Sequence, residues 1–198
     1  MPPSTTTYRD RPTTTARNID EWRAWLEAHH ADAEGVWLII YKKGSDRPSI
    51  TYKEAVPHAL CYGWVDSVPN KRDAESFYQY FSPRSPKSNW SGLNKRYIAE
   101  MEAAGLMRPA GAAMVADAKA SGTWDALNDV ENLVIPDDLA AAFAQYDGAE
   151  ANFKAFPPSA QRGILEWIFN AVRPATRAKR ITETAEKAAR NERANQWR

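Results

Sequence analysis

The sequence predicts an α+β fold, in which a small antiparallel sheet of about three strands packs with helices and a helix-rich C-terminal half follows. Two patterns support this prediction. Short apolar runs rich in β-branched and aromatic residues, typical of strands, are confined to residues 35–81. From Ser91 onward, apolar residues recur every three or four positions, as expected for helices that bury one face. The chain has 198 residues and is 43% hydrophobic, which suits a globular protein with its own core.

The chain divides into three predicted parts: a flexible tail over residues 1–17, an α+β region over 18–130 and a helical region over 131–198. The tail is rich in Thr, Pro and Arg and lacks an apolar pattern. Asn18 is a good helix N-cap and has Glu21 three residues later, which is the spacing of a capping box. We therefore expect ordered structure to begin at Asn18.

Three segments are predicted to be strands. Residues 35–43, GVWLIIYKK, are typical of a buried strand, whereas GWVDSV and ESFYQYF flank the turn-rich PNKRD and predict a hairpin. The last strand carries aromatic residues on both faces, so we expect cover on both sides or one face turned to a pocket. Between the strands, Thr51 and Glu54 predict the start of a helix, and Pro57 is expected to kink that helix or delay its start.

Glycines and prolines predict where the later helices begin and end. Gly105 and Gly122 are expected to end two helices, because glycine readily adopts the left-handed conformation of a C-terminal cap. Pro109 and Pro136 are placed at predicted helix starts, and Pro174 is expected to break the penultimate helix from a polar, alanine-rich last one.

Charge is balanced overall but uneven along the chain. The formal net charge is +1, which disfavours nucleic acid as a partner of the whole protein. Residues 101–161 are acidic, with nine Asp/Glu against three Lys/Arg, and residues 162–198 are basic, with nine Lys/Arg against four Asp/Glu. The favoured interpretation is a basic last helix lying against an acidic middle. The alternative is binding of nucleic acid or a protein partner through the basic segment from Arg173.

The sequence also bears on location. The start of the chain has no apolar segment typical of a signal peptide, and no apolar run reaches the ~20 residues that span a bilayer. The single cysteine, Cys61, has no partner for an internal disulfide, which fits a reducing compartment. We therefore expect no membrane span and a cytoplasmic location.

Standard catalytic signatures are absent from the sequence. It contains no glycine-rich phosphate loop, no G-x-S-x-G elbow and no H-E-x-x-H pair. The adjacent His29 and His30 point in different directions on a helix and make a poor metal pair, so we expect neither a metal nor a cofactor. Cys61 has His58 three residues before it, which leaves a thiol nucleophile as an alternative to a buried core cysteine.

The segment FSPRSPKSNWSGLN, residues 81–94, contains two prolines and four serines and is not expected to form a regular element. It combines Arg84 and Trp90 with serines at the predicted start of a helix, where free backbone N–H groups attract anions. Trp64 and Asp66 alternate on the preceding strand and therefore point to one face. This pattern predicts a polar and aromatic site, with a structural Asp66–Arg84 pair and an ordinary helix cap as the alternative.

Several blocks occur in an order that resembles the bacterial YdeI/OmpD-associated, or bacteriocin-protection, family of the OmdA type. They are WLIIYKK, TYKEAVPHALCYGWVDS, YFSPRSPKSNWSGLN, GLMRPAG, SGTWDA and LEWIFNAVRPATRAKRI. The resemblance implies a role in envelope stress and protection against antimicrobial peptides, and it implies no particular reaction. The chain departs from the family pattern at Pro57, at Thr123, where an arginine is common, and at Val172, where a lysine is common.

Matching positions give a predicted ligand-binding site, which contains Trp64, Asp66, Arg84, Ser88, Trp90, Asn94, Arg177 and Arg180. We expect a cytoplasmic, non-catalytic stress-protection protein that binds an anionic or polar small molecule, with a protein partner as a further expectation. In this site Arg84 would hold the anion, the two tryptophans would form apolar walls, and Asp66 would orient Arg84. The alternative is an enzyme that uses the same cleft, with Asp66 as general base or Cys61 as nucleophile.

Overall fold

The computed structural model describes residues 6–195 of the chain, which divide into two compact units. The N-terminal unit ends at Asp125, and the C-terminal unit begins at Ala126. The N-terminal unit combines a sheet with helices, and the C-terminal unit is helical, so the predicted α+β class is confirmed.

Over residues 6–125 the sheet of the N-terminal unit has five strands in the order β1-β2-β3-β5-β4. The strands are β1 (Thr7–Tyr8), β2 (Arg11–Thr15), β3 (Val36–Tyr41), β4 (Trp64–Lys71) and β5 (Ser76–Pro83). β3, β4 and β5 are the three predicted strands, and β4 and β5 form the predicted antiparallel hairpin. β2 pairs parallel to β3, so the sheet is mixed rather than wholly antiparallel.

The prediction of about three strands was wrong because the first two strands were assigned to a flexible tail. Residues 1–5 of that predicted tail lie outside the described residues. Within the rest, the threonines of β2 are β-branched and suit an extended backbone. β2 pairs with β3, and the helix between them returns the chain in the same direction. Composition alone gives no sign of this pairing, because the partner strand lies more than twenty residues further along the chain.

Both faces of the sheet are covered, as the aromatic residues on both faces of β5 suggested. On one face, β3 contributes Leu38 and Ile40 to the core. On the other face, Trp37 is buried and Tyr8 from β1 stacks on Tyr78 with ring centroids 4.1 Å apart. The short first strand therefore supplies part of the cover for the second face.

The described part of the N-terminal unit also contains four helices, which share one core with the sheet. They are α1 (Ile19–His29), α2 (Tyr52–Leu60), α3 (Gly92–Ala103) and α4 (Pro109–Ser121). Asn18 caps α1 by accepting the Glu21 N–H at 3.0 Å, as predicted. Thr51 and Glu54 form the predicted capping box of α2, and this helix starts directly after it although Pro57 lies inside.

The C-terminal unit contains five helices among the described residues. They are α5 (Asn128–Glu131), α6 (Asp137–Phe143), α7 (Ala149–Ala155), α8 (Pro158–Phe169) and α9 (Pro174–Ala189). These helices bury a separate core that includes Leu139, Phe153 and Ile168. Pro174 is the first residue of α9, where its missing N–H costs nothing, so the predicted break between the last two helices is confirmed. Within residues 6–195 no helix is both long enough and apolar enough to span a bilayer.

Candidate ligand-binding cleft

A cleft of about 360 Å³ opens in the N-terminal unit, and we refer to it as the cleft. This volume is at the small end of the range of about 300–1,000 Å³ that is common for small-molecule sites. The residues after α1, the start of β4, the end of β5, the loop after β5 and one face of α4 form its walls. Most of the lining is apolar, and the polar side chains are His30, Arg84, Ser85 and Asp117.

Arg84 is the buried cation of the cleft. Only 9% of the residue is exposed. Its backbone N–H donates to the Gly63 carbonyl at 2.9 Å, which fixes the loop after β5 to the start of β4. The guanidinium lies over the Trp90 ring, with the Cζ atom 4.0 Å from the centroid, and Nη2 donates to the Asn89 carbonyl. The position of Arg84 is thus set by its own loop.

The charge of Arg84 is poorly neutralised. Nε is buried and has no acceptor among the described residues, and none of their carboxylates forms an ion pair with this guanidinium. Burial lowers the pKa of Arg84 to about 10, and the charge of Asp66 partly opposes that shift. Because this pKa is well above neutral pH, Arg84 stays protonated and brings a positive charge to the cleft wall.

Two tryptophans form apolar walls, and each is held in place. Trp64 and Trp90 are both 1% exposed. Trp64 Nε1 donates to the His30 carbonyl at 3.0 Å, so its polar atom is satisfied and its ring position is fixed. Trp90 packs against Trp124, with ring centroids 4.8 Å apart. Both rings are therefore rigid surfaces that need little ordering when a ligand binds.

Close backbone contacts hold α4 against the end of α2. A Cβ atom on Gly111 would lie 2.2 Å from the Cys61 carbonyl oxygen, a distance that only glycine permits. The Arg108 N–H donates to the same carbonyl at 3.1 Å. Gly63 has φ of 79°, in the left-handed region that favours glycine. These contacts place one face of α4 along the cleft.

Three of the predicted site residues lie outside the cleft lining. Asp66 is on the same face of β4 as Trp64, as predicted, but its Oδ2 accepts the Tyr52 hydroxyl at 2.6 Å and does not contact Arg84. Ser88 lies in the turn after Ser85, and its N–H donates to the Ser85 carbonyl at 3.0 Å. Asn94 is in the first turn of α3, where Ser91 is the cap. Trp64, Arg84 and Trp90 are the predicted residues that the structure brings together in the cleft.

The remaining predicted residues, Arg177 and Arg180, lie in the C-terminal unit and have local partners there. Arg177 donates from Nε and Nη2 to the two carboxylate oxygens of Asp138, at 2.7 and 2.9 Å. Arg180 donates to the Trp167 carbonyl and lies over the Trp167 ring, 4.8 Å from its centroid. The Arg177–Asp138 pair joins the basic last helix to the acidic middle, as the favoured interpretation of the charge pattern predicts.

Cys61 does not have the environment of a nucleophile. The thiol is fully buried and donates to the Pro57 carbonyl at 3.3 Å, and burial raises its pKa. His58, the proposed base, accepts from Arg23 at 3.1 Å instead of contacting the thiol. A raised pKa reduces the thiolate that attacks a substrate, so the geometry fits the interpretation of Cys61 as a core residue.

The sequence reasoning missed the contribution of α4 and of the end of α1. Ala110, Ala113, Met114 and Asp117 follow one another at helical spacing and all line the cleft. A stripe of small and apolar residues that ends in a carboxylate is a detectable signal. This stripe faces the cleft because α4 packs against the end of α2, and the sequence does not reveal that contact.

The fold and the cleft together define the class: an α+β unit with a tryptophan-walled cleft, followed in the chain by a helical unit. Residues 14–114 match the model of the family described as "Domain of unknown function (DUF8412)". This match covers half of the chain, so the protein belongs to that family. Most of the cleft lies within the match, and Asp117 lies just beyond it.

The C-terminal unit matches a second family. Residues 132–191 match the model described as "Bacteriocin-protection, YdeI or OmpD-Associated", so the resemblance to the OmdA family is confirmed for that segment. Of the sequence blocks that carried the resemblance, LEWIFNAVRPATRAKRI lies within this match and the other five lie before it. Neither the curated proteins nor the solved structures gave a match.

Proposed function

We propose that the protein is a non-catalytic binding protein whose cleft holds an anionic or polar small molecule at Arg84. One observation carries this proposal: a guanidinium that is 9% exposed lines the cleft with an unpartnered Nε and no carboxylate in contact. Buried charges in proteins are normally paired, because desolvation is costly. A ligand anion would supply the missing negative charge and would recover part of that cost.

The rest of the lining supports a small organic ligand rather than a bare ion. Trp64 and Trp90 are rigid apolar walls, and Met114 and several alanines add apolar surface. A mostly apolar pocket with a few polar groups is typical of sites that bind metabolite-sized molecules. Arginine also recognises carboxylate and phosphate groups with two parallel hydrogen bonds, which adds specificity to the charge interaction.

The wider role in this proposal is stress protection in the cytoplasm. It rests on the bacteriocin-protection description of the family that matches residues 132–191 and on the sequence prediction of location. In this proposal, ligand binding in the N-terminal unit would trigger the protective role. Fractionation of cells that carry an epitope-tagged copy measures the cytoplasmic location. Survival under antimicrobial-peptide stress, with and without the gene, measures the protection.

An enzyme remains the second candidate because Asp66 lies two residues from Trp64 on the same face of β4, and Trp64 is part of the cleft wall. Its Oδ2 is engaged by the Tyr52 hydroxyl, so a catalytic role would require that hydrogen bond to open. The buried, hydrogen-bonded Cys61 offers this candidate less support than Asp66 does.

A thermal-shift panel of carboxylates, phosphates and nucleotides tests the proposal. A ligand at 100 times its Kd adds about 2.7 kcal/mol to the free energy of unfolding, and for a chain of this size the Tm rises by roughly 5–10 °C. The test variant is Arg84→Met, which keeps the length of the side chain and removes the charge. The control is Arg96→Met on α3, because Arg96 is an exposed arginine away from the cleft lining.

We expect at least one anion to raise the Tm of the wild type and of Arg96→Met, and to leave the Tm of Arg84→Met unchanged. A shift that survives in Arg84→Met would contradict the assignment of the anion to Arg84. The absence of any shift across the panel would count against anion binding and would identify Arg84 as a structural residue of its loop.

A further inference from the structure

The cleft carries opposite charges on different walls, which the sequence analysis did not anticipate. Arg84 follows β5, whereas Asp117 is on α4, and both side chains line the same cavity. A site built only for an anion gains nothing from a carboxylate in its lining, because like charges repel. The presence of Asp117 therefore restricts the class of ligand.

Asp117 has no partner within its own structure. It is an exposed residue, and no described residue gives its carboxylate a hydrogen bond or an ion pair. The preceding positions on the same face of α4, at Ala110, Ala113 and Met114, are apolar and also line the cleft. Asp117 is thus the acidic end of an otherwise apolar stripe.

His30 adds a second acceptor to the cleft. Its Nδ1 lies 2.9 Å from the Leu26 carbonyl oxygen, and because a carbonyl can only accept, Nδ1 must carry the hydrogen. In the neutral ring Nε2 then has a free lone pair. The His30 carbonyl is already used by Trp64, so its ring is the remaining polar group that this residue brings to the cleft lining.

We propose that the ligand is a zwitterion, with a carboxylate or other anionic group at Arg84 and a protonated amine at Asp117. His30 Nε2 would accept a further N–H of the amine, and Trp64, Trp90 and Met114 would enclose an apolar body between the two charges. This inference rests on the proposed function and deepens it. It requires the donor and the acceptors to come from different walls of the cleft, and Arg84 follows β5 whereas His30 follows α1 and Asp117 is on α4.

The test uses matched ligands that differ by one charge. Unbranched ω-amino carboxylates with two to seven carbons, whose apolar chain lies between the two charges, are compared with the same carboxylates lacking the amine. Affinities are measured by calorimetry on the full chain. The chain length that binds most tightly also reports the separation of the two charges.

We expect the best zwitterion to bind at least tenfold more tightly than its deaminated counterpart. Asp117→Asn should remove this preference, and because it removes a repelling charge the deaminated carboxylate should bind at least as tightly as it does to the wild type. The matched control is Glu100→Gln on α3, which neutralises an exposed carboxylate outside the cleft lining and should keep the preference.

Equal affinity within every matched pair would overturn the zwitterion inference, as would a preference that persists in Asp117→Asn. In either case binding that still depends on Arg84 would leave the proposed anion site intact. A loss of the preference in Glu100→Gln as well would indicate a general charge effect and would also overturn the role of Asp117. If the deaminated carboxylates bind equally well to Arg84→Met, the proposed function itself fails.

Discussion

Arg84 in the N-terminal unit and Arg177 in the C-terminal unit were predicted to serve one site, yet they differ in what neutralises them. Arg177 meets both oxygens of the Asp138 carboxylate, at 2.7 and 2.9 Å. Arg84 is more deeply buried. In the described structure its guanidinium contacts a carbonyl and an aromatic ring, and the charge of Asp66 acts on it from a distance. The charge of Arg177 is thus met within its own unit, whereas the charge of Arg84 is not, and the proposed ligand site rests on this difference.

The largest difference in stability between the two units is expected from a glycine-to-alanine substitution in each. In Gly111→Ala the new Cβ would meet the Cys61 carbonyl at 2.2 Å, so α4 must move away from α2. We expect a loss of about 2–3 kcal/mol in the free energy of unfolding, because overpacking against backbone outweighs the roughly 1 kcal/mol that alanine gains in a helix. Urea unfolding followed by tryptophan fluorescence measures this loss.

The matched control is Gly163→Ala in α8, where a Cβ would have no atom within 4 Å. There the gain in helix propensity should stabilise the C-terminal unit by about 0.5–1 kcal/mol. Equal effects of the two substitutions would show that the close approach of α4 to Cys61 does not shape the cleft.

A smaller effect is expected from the Arg177–Asp138 pair. A double-mutant cycle with Arg177→Met and Asp138→Asn should give a coupling free energy of about 1 kcal/mol at pH 7. The pair is partly exposed, which limits its strength, but its two-point geometry is favourable. The coupling is obtained from urea unfolding of the four proteins.

The pH dependence of this coupling follows from the hydrogen bonds of Arg177, which lower the pKa of Asp138 below its usual value of 3.8. A lowered folded-state pKa means that the stabilisation is complete above the unfolded-state pKa and is lost as the pH falls through the folded-state pKa. The coupling should therefore be unchanged between pH 7 and pH 5 and should decrease below about pH 4. A coupling that is constant down to pH 2 would contradict an ionic pair.

Local signals in the sequence predicted the ends of elements well. Asn18, Thr51 and Pro136 were placed correctly at helix starts because capping and proline geometry depend only on neighbours within one turn. Gly122 ends α4 in the left-handed conformation, again as predicted from glycine alone. These predictions succeed because the physical cause lies within a few residues.

Contacts between segments that lie far apart in the sequence were harder to predict. β2 pairs with a strand more than twenty residues later, and its threonines alone did not distinguish it from a tail. Asp66 was expected to orient Arg84, but Asp66 instead accepts a hydrogen bond from the Tyr52 hydroxyl, which joins the strand to a helix. Asp117 and His30 reach the cleft through helix packing, so the acidic side of the candidate site could not be predicted from sequence spacing.

The proposed function depends on the Arg84 guanidinium as the anion receptor of the cleft. Two-dimensional ¹H–¹⁵N NMR of the arginine Nε–H groups tests it directly, with the Arg84 resonance assigned by its loss in Arg84→Met. On titration with the tightest ligand of the panel, we predict a saturable shift of the Arg84 resonance and no change at Arg177, which already has its carboxylate. An Arg84 resonance that stays fixed while the ligand binds would show that Arg84 does not receive the anion.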